Sequence, residues 1–141
     1  MVRTEQGFTL AETLAAIGIL GIGLVALLSS ISWGFAGVDA SRRSTTALFL
    51  AEQRMEEVKA FAASTAANQG WSRLTSAAFP AEPYRTIPGY PDYRRTVTVT
   101  DSPNGLANVK QVEVRVFYRP VTAGGLGVET SSAVSTLLVR R

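Results

Sequence analysis

Residues 14–28 read LAAIGILGIGLVALL and form the most apolar stretch of the 141-residue chain. They lie within 26 consecutive uncharged residues, from Thr13 to Val38. A helix needs about 20 apolar residues to cross the hydrocarbon core of a bilayer. The sequence therefore predicts one membrane-spanning helix, followed by a polar remainder that begins at Asp39.

The segment before the apolar run reads MVRTEQ over residues 1–6 and GFTLAE over residues 7–12. A secretory signal peptide has a shorter apolar run and a small-residue cleavage site behind it, and this segment has a different arrangement. Glu12 is the single charge between residues 6 and 38. Because a carboxylate near the edge of an apolar span costs about 2–3 kcal/mol on insertion scales, we expect Glu12 to have a function.

The string GFTLAE directly before the apolar run resembles the class III leader of type IV pilins and type II secretion pseudopilins. The resemblance implies that a prepilin peptidase cuts between Gly7 and Phe8 and then methylates the new N-terminus at Phe8. It also implies that Glu12 pairs with the free amine of Phe8 in a neighbouring subunit. Opposite charges about 4 Å apart attract by roughly 4 kcal/mol at an effective dielectric constant near 20. Residues 1–7 are then the leader, and residues 8–38 are the transmembrane and filament-core helix.

An uncleaved signal anchor is the alternative interpretation of the same segment. Such an anchor also begins with a few polar residues, and Glu12 would then lie at the membrane interface with its carboxylate reaching water. The alternative predicts that the leader remains attached.

The apolar pattern becomes amphipathic after Asp39. Apolar residues recur at steps of three and four, which is the spacing of one helix face: Leu48, Ala51, Met55, Val58 and Ala62. We expect residues 39–63 to be the amphipathic half of one helix that runs from about Leu10 to Ala63. The string LAEQRMEEVK over residues 50–59 also resembles the corresponding stretch of minor pilins and of the I-type minor pseudopilin.

Residues 64–141 are expected to form a loop followed by antiparallel strands. Prolines are frequent up to Pro91 and disfavour regular structure there. Alternating apolar residues then predict strands over residues 94–100, 109–118 and 129–139, with Val112, Val114 and Val116 on one face. Composition and order give the α+β class. The resemblance implies a pilin-like fold, in which a long N-terminal helix, its first half transmembrane, packs on a small sheet of three to four strands.

The composition argues against an enzyme. The chain has no His and no Cys, which excludes disulfides, thiolate chemistry and histidine metal sites and removes the commonest general base. We therefore predict no catalytic residues, no cofactor and no metal site. From Asp39 onward 13 basic residues face 9 acidic ones, and because they are spread along the chain a solvated surface is the favoured interpretation.

One aromatic and basic cluster has two interpretations. Tyrosines alternate with arginines at Tyr84, Arg85, Tyr90, Tyr93, Arg94 and Arg95. Such a pattern can stack on single-stranded nucleic acid, which would make nucleic acid a partner. Packing of a long loop onto the sheet is the favoured interpretation.

The resemblance implies a minor subunit of a type IV pilus-like filament, assembled from the inner membrane after leader cleavage and N-methylation. A minor pseudopilin of a type II secretion system is the alternative within the same family. A membrane-anchored binding module that keeps its leader is the alternative from another class. The implied partners are other pilin or pseudopilin subunits, the prepilin peptidase, the inner-membrane assembly platform and the lipid bilayer. The implied location is a single-pass inner-membrane protein with its C-terminal domain outside the cytoplasm, then a periplasmic or cell-surface filament.

Overall fold

The computed structural model describes residues 9–122 and 125–140. The chain divides into two compact units, one up to Val38 and one from Asp39 onward. A single helix, α1, covers Leu10–Ala63 and therefore supplies residues to both units. The predicted helix limits are confirmed, because residues 9–63 contain no proline and the apolar periodicity continues to Ala62.

The second unit completes an α+β fold in which helix α1 precedes a small antiparallel sheet. The strands are β1 (Arg94–Asp101), β2 (Val109–Tyr118), β3 (Val121–Thr122), β4 (Gly125–Leu126) and β5 (Thr130–Val139). Short 3₁₀ helices cover Trp71–Arg73, Ser76–Ala78 and Pro103–Gly105. The main sheet has the order β1-β2-β5 with both pairs antiparallel, and β3 and β4 form a separate hairpin between β2 and β5. The expected meander of three strands is confirmed.

Strand β2 forms the centre of the core because its alternation is regular. Val112, Val114 and Val116 are fully buried and Tyr118 is nearly so, while the residues between them are half-buried or exposed. The register places Val114 between Val97 of β1 and Val134 of β5. This single apolar face explains why the sheet needs a helix to cover it.

The helix face that enters the core is the predicted one at Ala51, Met55 and Val58, and it differs at Leu48. The buried helix residues are Ala47, Leu50, Ala51, Met55 and Val58. Leu48, predicted to lie on this face, is 42 % exposed. Residues 47–51 are all apolar, so spacing alone does not decide which of them face the core. Packing against the sheet buries Ala47, Leu50 and Ala51 and leaves Leu48 exposed.

Two charged side chains lie on the buried face of the sheet. Arg95 is only 5 % exposed, and its guanidinium donates to the carboxylate of Glu82 at 2.6 and 3.1 Å and to the Leu50 carbonyl at 3.0 Å. Lys110 donates to the Leu74 carbonyl at 2.8 Å. The hydrogen bond from Arg95 holds the pKa of Glu82 below its usual range. Since buried charges must be paired or hydrogen-bonded, these contacts fix the loop before β1 on the helix and sheet.

Most of the aromatic and basic cluster packs within this unit, whereas Arg85 is exposed. Tyr93 is buried and meets the rings of Tyr90 and Tyr118 at 6.1 and 6.0 Å between centroids. The Arg94 guanidinium lies over the Phe117 ring, 3.6 Å from its centroid. These contacts agree with the packing interpretation.

The core assignment on α1 can be tested with two leucines. Leu50→Ala should lower the free energy of unfolding by about 2–5 kcal/mol, because truncation of a fully buried side chain leaves a cavity. Leu48→Ala is the matched control, and it should change that free energy by less than about 0.5 kcal/mol. The measurement is urea unfolding of the full chain in an uncharged detergent, followed by near-UV circular dichroism. Equal effects of the two substitutions would contradict the assignment.

Candidate functional site

A capping box between Thr9 and Glu12 starts α1. The Thr9 hydroxyl accepts a hydrogen bond from the backbone N–H of Glu12 (3.3 Å), and Oε2 of Glu12 accepts one from the backbone N–H of Thr9 (3.0 Å). The Thr9 hydroxyl also donates to Oε2 at 3.0 Å. Such bonds satisfy backbone donors that have no partner within the helix. The helix therefore begins at Leu10 because of two side chains three residues apart.

The Glu12 carboxylate keeps one oxygen available. Both bonds from Thr9 go to Oε2, and among the described residues Oε1 accepts no hydrogen bond. The next charged residue along the chain is Asp39, which is also acidic. The helix after Glu12 thus supplies no cation that could neutralise the carboxylate up to that point.

The helix surface that follows Glu12 is uncovered. Every large apolar side chain from Leu10 to Val38 is between 55 and 79 % exposed. Part of α1 is long and apolar enough to cross a membrane. Exposing this much contiguous apolar surface to water is highly unfavourable. Lipid or neighbouring apolar helices must therefore cover it.

Three serines in this apolar segment do not prevent such burial. Their hydroxyls donate to helix carbonyls four residues earlier, Ser29 to Val25 at 3.0 Å, Ser30 to Ala26 at 3.0 Å and Ser32 to Leu28 at 3.3 Å. Because a polar group in an apolar medium is costly only when it lacks a partner, the segment is compatible with lipid along its length.

Of the three residues that the sequence predicts for this site, only Glu12 is within the described part of the structure. Gly7 and Phe8 lie outside it, so cleavage and methylation at these residues stay predictions. Sequence reasoning missed Thr9. The signal was present, because Thr9 and Glu12 have the Thr-x-x-Glu spacing of a capping box directly before an apolar helix.

Residues 2–28 match the family model described as the prokaryotic N-terminal methylation motif. The matched range contains Gly7, Phe8, Thr9 and Glu12 and the first part of the apolar run. A search of the curated proteins and a search of the solved structures give no significant match to the chain.

Removal of the Thr9 hydroxyl tests the cap. Thr9→Ala should make the first turn of α1 open about fivefold more often, because loss of an N-cap hydroxyl typically costs about 1 kcal/mol. Thr9→Ser keeps the hydroxyl and should behave like the unchanged chain. Hydrogen–deuterium exchange of the amides of residues 10–13, measured on the full chain in detergent micelles, reports the opening. If Thr9→Ala leaves this exchange unchanged, the capping box does not stabilise the helix start.

Proposed function

We propose that this chain, whose residues 2–28 match the prokaryotic N-terminal methylation motif, belongs to the type IV pilin and pseudopilin family and serves as a minor subunit of a type IV pilus-like filament. One observation carries the proposal. An apolar helix that nothing in its own unit covers is headed by one acid, directly after a leader motif. A helix of this kind can be buried first by lipid and then by the same helix of other subunits.

The methylation motif has general implications for this chain. It implies processing by a prepilin peptidase and assembly with other pilin subunits. Proteins with this motif are structural and not catalytic. The apolar helix together with the leader motif anchors the chain in a membrane.

The cleavage site that we propose lies between Gly7 and Phe8. Glycine has no side chain, so the scissile peptide can lie extended in a narrow peptidase site. Cleavage there leaves Phe8 as the N-terminal residue, with its amine free for methylation. The cap at Thr9 then lies one residue from the new terminus.

In the proposed filament, Oε1 of Glu12 binds the methylated ammonium of Phe8 from a neighbouring subunit. Oxygen Oε2 is held by Thr9, whereas Oε1 accepts no hydrogen bond among the described residues. At about 4 Å and an effective dielectric constant near 20, the attraction is roughly 4 kcal/mol. An ion pair of this strength in an apolar environment sets the register between neighbouring helices, since any other register leaves a charge buried without a partner.

We propose that the protein first lies in the inner membrane with its C-terminal domain outside the cytoplasm, and that the assembly platform then moves it into the filament. Arg42 and Arg43 follow the span, and basic residues favour the cytoplasmic side when they lie in short loops. That preference does not govern domains longer than about 60 residues, which are exported largely regardless of charge. Arg43 is in addition paired with Asp39 at 2.8 Å.

A minor pseudopilin of a type II secretion system is the second candidate. The string over residues 50–59 supports it, because that string resembles minor pilins and the I-type minor pseudopilin alike. Identification of the subunits that co-purify from host membranes distinguishes the two machines.

The mass of the mature N-terminus tests the cleavage proposal. Protein isolated from its host should begin at Phe8 and carry one additional methyl group, as intact-protein mass spectrometry can measure. Gly7→Val should retain the leader, because a branched side chain cannot enter a site that accepts only glycine. Val2→Ala, in the same leader, should be processed normally. A chain that still carries all seven leading residues would be an uncleaved anchor.

Substitutions at Glu12 separate the charge from the cap. Glu12→Ala should be processed but should enter filaments at least about tenfold less, because it loses both the cap and the ion pair. Glu12→Gln keeps the acceptor for Thr9 but has no charge, so it should be almost equally defective. Glu5→Ala removes an acid from the leader and is the matched control.

The measurement is the amount of each variant in sheared filaments relative to the amount in membranes. Normal incorporation of Glu12→Gln would show that the cap suffices and would remove the proposed pairing with Phe8.

A further inference from the structure

A basic cleft lies in the second unit next to the β3–β4 hairpin. Its volume is about 250 Å³, and its lining carries the guanidinium groups of Arg43, Arg85 and Arg119 against one carboxylate, that of Asp92. A cleft with this charge favours an anionic ligand. The sequence did not reveal it, because the three arginines come from the helix, the proline-rich loop and the segment after β2.

Two of the three arginines are available to a ligand. Arg43 is engaged, since its Nε donates to Asp39 at 2.8 Å and its Nη1 donates to Asp92 at 3.4 Å. Arg85 and Arg119 are exposed, and within residues 9–122 and 125–140 neither forms an ion pair. Their donors can therefore bind an anion without breaking an existing contact.

The carboxylate of Glu129 is already occupied by other partners. It accepts bonds from Arg94 at 2.7 and 3.1 Å and from the hydroxyl of Tyr84 at 2.6 Å. The bonds from Arg94 and Tyr84, with a smaller contribution from the charge of Arg119, lower the pKa of Glu129 to about 2. Glu129 therefore stays ionised and bound to Arg94, and it leaves the guanidinium of Arg119 without a direct partner.

The backbone of Arg85 is in a conformation that seldom carries an arginine. Its φ is 69°, in the left-handed region that favours glycine or asparagine. The N–H of Arg85 donates to the Pro91 carbonyl at 3.0 Å, which closes the loop. Strain of this kind persists where the surrounding structure holds it, often at binding sites.

The hairpin beside the cleft is tied to the end of the apolar run. The backbone N–H of Val121 donates to Oδ2 of Asp39 at 3.2 Å, and Asp39 directly follows Val38 in the chain. A hydrocarbon crossing of about 20 residues that starts after Glu12 ends near Trp33. At 1.5 Å per residue, Asp39 is then about 10 Å farther along the helix, at the outer edge of the lipid headgroups.

The hairpin and the segment after it expose apolar side chains near this point. Leu126 lines the cleft and is 71 % exposed, Val128 is 88 % exposed and Val121 is 40 % exposed. Apolar side chains next to arginines are typical of protein surfaces that lie in the bilayer interface.

We propose that this cleft binds the phosphate group of an anionic phospholipid where α1 leaves the bilayer, with Leu126 and Val128 inserted among the headgroups. Arg85 and Arg119 donate to the phosphate oxygens, since guanidinium groups match phosphate geometry. The proposal rests on membrane anchoring by α1. It requires neither leader cleavage nor pairing of Glu12, so its failure would leave those proposals standing.

The test uses the full chain in an uncharged detergent, expressed without a prepilin peptidase. Short-chain phosphatidylglycerol is titrated in and binding is followed by NMR shifts of the arginine Nε–H groups. The double variant Arg85→Gln/Arg119→Gln should bind at least about tenfold more weakly, because each lost charged hydrogen bond weakens binding. Arg73→Gln/Arg140→Gln removes the same net charge away from the cleft and should bind like the unchanged chain.

Two other titrations identify the ligand. Short-chain phosphatidylcholine carries no net charge and should bind at least about tenfold more weakly than phosphatidylglycerol. Inorganic phosphate that binds as tightly as phosphatidylglycerol would make this a free-phosphate site and would overturn the lipid assignment. If the two double variants lose the same affinity for phosphatidylglycerol, overall charge explains the binding. That result would also overturn the lipid assignment.

Hydrogen–deuterium exchange in nanodiscs gives a second readout that does not depend on the arginine variants. Residues 84–92 and 119–122 should be protected in phosphatidylglycerol discs relative to phosphatidylcholine discs, and Leu126→Ser should reduce that protection. Near-UV circular dichroism confirms that each variant is folded. Equal exchange in both kinds of disc would contradict the proposal. Protection that appears only after other subunits are added would assign the surface to a protein partner instead.

Discussion

The dominant constraint on this protein is an apolar helix surface that its own unit does not cover. From Leu10 to Val38 every large apolar side chain is at least 55 % exposed, whereas the second unit buries its own core between α1 and the sheet. The two units therefore have different solvent requirements. The second buries its apolar core within itself, and the first needs lipid or other helices to cover its apolar side chains. Membrane anchoring and assembly are two ways of meeting that one requirement.

Glu12 is informative because it places a charge at the edge of the apolar run, where a carboxylate is costly to bury. The capping box offsets part of this cost, since Oε2 accepts hydrogen bonds from the backbone N–H and the hydroxyl of Thr9. It does not explain the charge, because glutamine serves the same cap. In the proposed filament, the ionised group is matched by the ammonium of Phe8 from a neighbouring subunit. In that proposal the cap and the ion pair use different oxygens of one side chain, because Thr9 donates only to Oε2.

Local periodicity predicted the helix and the strands. Contacts between distant parts of the chain decided which of several adjacent apolar residues are buried. The limits of α1 and β2 follow from spacing, because no competing pattern exists there. Leu48 was placed wrongly because residues 47–51 are uniformly apolar. In β5 the run Leu137-Leu138-Val139 hides the alternation in the same way, and pairing with β2 leaves only Leu138 packed against the core. Of the site, Glu12 was predicted as a costly charge, while Thr9 was overlooked although its spacing was visible.

Charges that the sequence shows as dispersed have two distinct roles in the folded second unit. Arg95 faces inward by the alternation of β1 and needs Glu82, from the loop before it, to compensate for its burial. Arg85 and Arg119 are exposed. The nearby carboxylates of Asp92 and Glu129 are bound by Arg43 and Arg94 and not by these two arginines. Because Glu82 and Arg85 belong to the same loop, the contact between Arg95 and Glu82 holds on the sheet the loop that also carries Arg85.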